Sequence, residues 1–247
     1  MDRMIYTAMA GAKHVLEQQA TTANNLANAT TTGFRAQIDA FRAVPVIGPG
    51  LPTRTYVVDS TVGADYSQGA LHESGRALDV AIQGKGWVAL DMPDGTEAYT
   101  RHGSLKVNEN GVLQTQSGIN VVGDGGPITI PPDVNITIAK DGTVSSVAAG
   151  SKPGQSTVIG RIKLVNPPED TLVRGDDALF RVKGNGTAEA DANVTLVGGA
   201  LEGSNVNVVD AMVNMISLAR QFEMHMSLLK NAEGNATKAA QILAVNG

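Results

Sequence analysis

The sequence has no cysteine, so it can form neither disulfides nor thiolate metal sites. Aromatic residues make up only 4% of its 247 positions, against a hydrophobic content of 42%. Any core must therefore be packed from Val, Ile, Leu and Ala. No apolar run approaches the ~20 residues of a membrane span. No cluster of Lys and Arg is present to neutralise phosphates, which argues against a nucleic-acid partner. The start of the chain meets Lys13 and His14 before an apolar stretch can form, so no cleaved secretory leader is expected.

The motifs of catalysis are also missing. His14, His72, His102 and His225 are scattered, with no H-x-x-x-H or HExxH pair between them. Gly84-Lys85-Gly86 and Gly123-Asp124-Gly125-Gly126 lack the spacing of a phosphate-binding loop and read as tight turns. The acidic pairs Glu169-Asp170 and Asp176-Asp177 resemble solvated loop charges rather than an acid–base couple. Asn-x-Thr sequons at Asn28, Asn135, Asn185, Asn193 and Asn235 mean little without a glycosylating compartment. We expect no enzyme, no cofactor, no metal and no small-molecule substrate.

What is present is a division into three. The net charge of −5 comes from the middle: residues 44–203 sum to −6, residues 1–43 to +1 and residues 204–247 to zero. Glycine is concentrated between Gly84 and Gly203. At the N-terminal end, Ile5, Ala8, Ala12, Val15 and Leu26 follow a three-four spacing interrupted only by Gln19 and Thr22. At the far end Val209, Met212, Ile216, Ala219, Phe222, Met226, Leu229, Ala232, Ala236, Ala239 and Leu243 repeat it with short slips. Such spacing puts an apolar stripe on one side of a helix, which must be covered by another helix. The first helix is expected from about Asp2 to Ala29, roughly 40 Å long at ~1.5 Å per residue. Thr30-Thr31-Thr32 is poor helix material, Gly33 suits the left-handed position past a helix end, and Phe34 follows as an apolar anchor. The second helix should begin after Gly203, capped by Ser204 or Asn207, and pass through Gly234 to about Ala244.

Between the helices lie two regions. Residues 36–76 carry Pro45, Gly48, Pro49, Gly50 and Pro52 and read as an extended arm or flexible linker, with a hairpin around Arg54 to Asp59. Residues 77–203 read as short strands separated by turn signals, with Pro93-Asp94-Gly95 as a turn and Asn110-Gly111 as a hairpin reversal. The expected fold class is α+β: axial helices over 1–35 and 204–247, an arm over 36–76 and an all-β domain over 77–203, forming a sandwich or partly closed barrel. Either the helices close on each other, or part of their apolar surface faces neighbouring subunits.

Two segments carry a resemblance. Asn24-Asn25-Leu26-Ala27-Asn28-Ala29-Thr30-Thr31-Thr32-Gly33-Phe34-Arg35 is similar to the N-terminal signature of bacterial flagellar rod and hook proteins. Ser204 to Ile216 resembles their C-terminal signature, and with Leu78 to Gly118 the likeness spans nearly the whole chain. Within the family, Gly86 to Leu90, Asp94 to Arg101 and Leu218 to Met224 are like proximal-rod members, with the distal rod protein as nearest competitor. The resemblance implies a subunit exported through the flagellar type III apparatus, whose terminal helices form the inner coiled-coil layer of a hollow shaft across the periplasm. Its partners would be copies of itself and other rod proteins. It also implies an assembly interface of Ile5, Val15 and Leu26 with Val209, Met212, Ile216, Phe222, Met226 and Leu229. Asn24, Asn25 and Asn28 would bond to adjacent subunits, while Gly33 and Phe34 fix the exit of the chain. A secreted adhesin or binding module built on residues 75–203 is the alternative from another class, and it leaves the helical signatures without a role.

Overall fold

The computed structural model describes residues 2–45, 55–148, 156–184 and 186–245. Gly48, Pro49, Gly50, Pro52 and Arg54 of the expected arm, the Asn185 sequon and the final Gly247 lie outside them, as does the side chain of Leu243. The architecture is α+β: helix α1, Asp2–Ala27, opens the chain, helix α2, Val208–Val245, closes it, and short strands fill the interval. Helix α1 ends at Ala27, just short of the expected Ala29 and of the Thr run, and Gly33 follows at φ +69°. At the head of α2 the Asn207 side-chain carbonyl accepts from the N–H groups of Val209 (3.0 Å) and Asp210 (3.4 Å), so Asn207 is the cap.

Contacts divide the chain differently from its linear order. One unit holds residues 1–28, 37–64 and 206–247; the other holds 29–36 and 65–205. The expected arm is thus shared between them, and it is not a linker. Strands β1, Gln37–Pro45, and β2, Thr55–Ala64, form a long antiparallel hairpin in the helical unit, with a bulge at Ala40/Phe41. Thr55 to Asp59 belong to the second strand of this hairpin, whose first strand reaches back to Gln37. Along β1 the more buried positions are Gln37, Asp39, Phe41 and Val44, while Ile38 is half exposed. Polar residues face inward and an apolar one outward, which hides the period of two from a hydropathy reading.

The β unit contains only antiparallel pairings among its described residues. Its main sheet runs 172–174, 180–182, 97–100, 87–91, 120–123, 113–115 and 105–107, and a three-stranded sheet pairs 134–138, 143–148 and 157–161. Both expected turns are present: Gly95 (φ +78°) closes 87–91 onto 97–100, and Gly111 (φ +79°) closes 105–107 onto 113–115. Residues 157–161 and 164–165 form two separate strands, and Ile128 and Ile130 are buried on either side of a single bridge at Thr129. Leu90, Leu105, Leu113, Val121, Ile162 and Leu196 centre an aliphatic core.

Tyr99 is fully buried beside that core. Its hydroxyl donates to the Glu97 carboxylate (3.1 Å) and accepts from the Ala188 N–H (2.7 Å). Burial above all pushes its pKa up to about 12 from 10.0. Between those values the unfolded chain releases the proton while the folded chain keeps it. The contribution is therefore complete below pH 10 and is lost as pH rises toward 12. Tyr99→Phe should flatten the fall of Tm with pH above about 10; an unchanged slope would show that other groups set the alkaline limit.

Candidate assembly interface

The helical unit is organised by two stripes on each helix. On α1, Ile5, Ala8, Ala12, Val15, Gln19, Thr22 and Leu26 recur every three or four residues and are all buried or half-buried, Ala12 and Val15 most deeply. On α2 the matching set is Ala211, Met215, Leu218, Phe222, His225, Leu229 and Ala232. The helices run antiparallel, since Gly11 abuts His225 while Gln18, Thr22 and Asn25 share a groove with Asn214, Ser217 and Gln221. A Cβ at Gly11 would lie 2.5 Å from the His225 ring, so glycine is what allows the approach.

Of the residues expected at the interface, Ile5, Val15, Leu26, Phe222 and Leu229 belong to these inner stripes. Val209, Met212, Ile216 and Met226 stand on the other side of α2 and are exposed by 67, 50, 57 and 38%. Ile216 and Met226 therefore do not pack against α1 within this chain. Following a single stripe through its slips had joined residues from two faces of one helix.

The asparagines also make bonds within the chain. The Asn25 amide N–H donates to the Gln37 carbonyl (2.9 Å) and its side-chain carbonyl accepts from the Gln37 N–H (2.8 Å). In this way α1 supplies a substitute strand partner to the first residue of β1. Thr21 adds a bond to Asp39 (2.8 Å), and His14 lies 2.6 Å from the Val57 carbonyl and edge-on to Phe41. Asn28 bonds back to the Asn24 carbonyl (2.9 Å), and Asn24 is exposed.

In the β unit the segment 29–36 is seated by polar contacts that sequence reasoning largely missed. The Gly33 N–H donates to the Glu202 carbonyl (2.8 Å), and a Cβ at Gly33 would lie 2.4 Å from the Arg101 carbonyl carbon. Phe34 is buried, with the Arg174 guanidinium over its ring at 4.5 Å. Arg35 and Glu202 have fully buried side chains, with Arg35 Nη2 2.7 Å from Glu202 Oε1 in an ion pair without hydrogen-bond alignment. Glu202 also accepts from Arg101 Nη1 (3.0 Å) and the Gly69 N–H (2.9 Å), and Arg101 reaches the Gly84 carbonyl (2.6 Å). Burial lowers the pKa of Arg101, Glu202 opposing the shift and Arg35 adding to it.

Asn205 completes the arrangement. Its carbonyl accepts from the Ala36 N–H (2.7 Å) and its amide donates to the Asp65 carbonyl (2.8 Å), while Asp65 N–H bonds the Ala36 carbonyl (2.8 Å). The residues at which the chain leaves for β1 and returns from β2 are thus tied to each other and to the approach to α2. Arg35 and Asn205 sit inside the two signature segments, which was the available signal. Glu202 had none, because a lone acid before a helix looks like any surface carboxylate. Among the described residues no group of three or more His, Asp or Glu could hold a metal.

Three family models match. They are described as flagella basal body rod protein (residues 5–35), flagellar hook protein FlgE/F/G D1 domain (81–146) and flagellar basal body rod FlgEFG protein C-terminal (197–242). The chain is 47% identical to the flagellar basal-body rod protein FlgF of Escherichia coli K12 and to that of Salmonella typhimurium, each over the full length of both chains. It is 31% identical to the flagellar basal-body rod protein FlgG of Buchnera aphidicola subsp. Schizaphis graminum, over 89% of this chain and 91% of that one.

Proposed function

Because the chain belongs to the FlgF flagellar basal-body rod proteins, we propose that it is a proximal subunit of the rod that polymerises through its terminal helices. The observation that carries the polymerising role is the second, exposed apolar stripe of α2. A helix already covered on one face by α1 gains nothing in water from Val209, Met212 and Ile216 on the other; such a stripe marks a contact surface. Other rod proteins and further copies of the chain are its partners. Its route of export is the flagellar type III apparatus. The role is mechanical: α1 and α2 supply the shaft, and the ionic cluster around Glu202 holds the β unit's chain segments in register.

Quantitative mass spectrometry of purified hook–basal bodies tests this reading. The chain should be present at a ratio to the hook protein fitting a single rod turn. A several-fold higher ratio would move it to the distal rod, and absence would sink the axial assignment. Leu26→Asp places a carboxylate in the inner α1–α2 stripe and should abolish assembly while the β unit keeps its Tm; unimpaired swimming would disprove the packing.

A further inference from the structure

Building on that reading, we propose which surfaces of two copies meet: the outer stripe of α1 in one copy lies along the outer stripe of α2 in the next, antiparallel, with Lys13 facing Glu223. Helix α1 carries a second three-four series besides its buried one. Tyr6, Met9, Lys13, Leu16, Ala20 and Ala23 alternate in steps of three and four and are all exposed, Tyr6, Met9 and Leu16 by about half. Helix α2 carries Val209, Met212, Ile216, Ala219, Glu223 and Met226 at the same steps, also all exposed. Steps of this kind are the seam of a coiled coil, and here each helix has one seam filled within the chain and one left open.

The two open seams match in size and charge. Suppose the layer repeats sideways without axial slip. The register that sets Gly11 against His225 then puts position 20 opposite 216, 13 opposite 223 and 9 opposite 226. Ala20 and Ala23 then face the large Ile216 and Met212, Leu16 faces the small Ala219, Met9 meets Met226, and the one cation of the first stripe meets the one anion of the second. Aligned in parallel from Tyr6 against Val209, the same stripes would set Lys13 against Ile216 and Ala20 against Glu223, leaving Lys13 without an acid. Because the surfaces differ, each copy offers one and accepts the other, which generates a ring or a helical tube and not a closed dimer. The known internal bond of Lys13, to Glu17 at 3.4 Å, is between exposed groups and weak enough to be exchanged.

The absence of cysteine makes the test clean. Ala20→Cys and Ile216→Cys are introduced together into the full chain in its own flagellated host, and isolated basal bodies are oxidised with copper phenanthroline. Both thiols point away from the intramolecular pair, so a disulfide, which needs Cα atoms within about 7 Å, forms only between copies. The expected result is a ladder of linked copies on non-reducing gels, which Met9→Cys with Ile216→Cys does not give. Lys13→Glu and Glu223→Lys should each leave about tenfold fewer copies per basal body, and the double exchange should restore them. A chain present in basal bodies that gives no ladder, or links as well through position 9, overturns the seam assignment and leaves the rod reading intact. Absence of the unsubstituted chain from basal bodies overturns the rod reading itself.

Discussion

Glu202→Gln is expected to destabilise the β unit by about 3–5 kcal/mol, the usual cost of removing one partner from a buried ion pair. The side chains of Arg35 and Glu202 are wholly inaccessible and that of Arg101 nearly so. The carboxylate is the single anion between two guanidinium groups. Glutamine keeps the shape and can still accept from the Gly69 N–H, but it leaves two positive charges facing each other without water. Arg35 Nε and Nη1 and Arg101 Nε already lack hydrogen-bond partners, so nothing nearby can take over. A fall in Tm of about 10 °C or more should be seen by calorimetry. Replacing all three residues by apolar ones of similar volume should recover most of that loss, as buried ionic triads elsewhere have been replaced at no cost in stability. Recovery of Tm without recovery of swimming would show that the triad serves to specify the seating of segment 29–36. A Tm unmoved by Glu202→Gln would mean the cluster is hydrated and the argument fails.

Gly33→Ala should be nearly as damaging, and a comparison with Gly75→Ala separates its two causes. Both glycines sit in the left-handed region, at φ +69° and +71°. Each substitution meets the ordinary left-handed penalty of about 1–2 kcal/mol for a residue with a Cβ. At Gly75 nothing lies within 4 Å of the added methyl. At Gly33 the methyl would meet the backbone of Arg101 and His102 at 2.4 Å, and backbone cannot swing aside as a side chain can. Overpacking adds about 1–3 kcal/mol on top. Gly75→Ala should therefore fold and support swimming, while Gly33→Ala should lose both thermal stability and motility. Equal effects at the two positions would make conformation the sole cause and remove the role assigned to close approach.

The legibility of this chain followed how far local chemistry and tertiary role agree. Helix ends, the Asn207 cap and the turns at Gly95 and Gly111 were readable because one or two residues determine each. Strand 143–148 was not, since Ser145 and Ser146 break its apolar pattern although Val144 is fully buried. The full reach of the β1–β2 hairpin back to Gln37 escaped for a related reason, its inward face being made polar by Gln37 and Asp39 to suit Asn25 and Thr21 of α1. Of the expected interface residues, Gly33 and Phe34 lie where the chain is most tightly seated in the β unit. Asn25 turned out to be occupied internally, because a side-chain amide can mimic a strand edge, a use that residue type alone does not reveal.

A helix–domain–helix protein has two peptide links between its parts, but here the backbone changes unit four times, at 28/29, 36/37, 64/65 and 205/206. On the β side those points are joined by Gly33 to Glu202, Ala36 to Asn205 and Asp65 to Ala36, so they cannot be drawn apart singly. Four covalent springs in parallel share a twisting force that two would bear alone. One cleaved link leaves three intact.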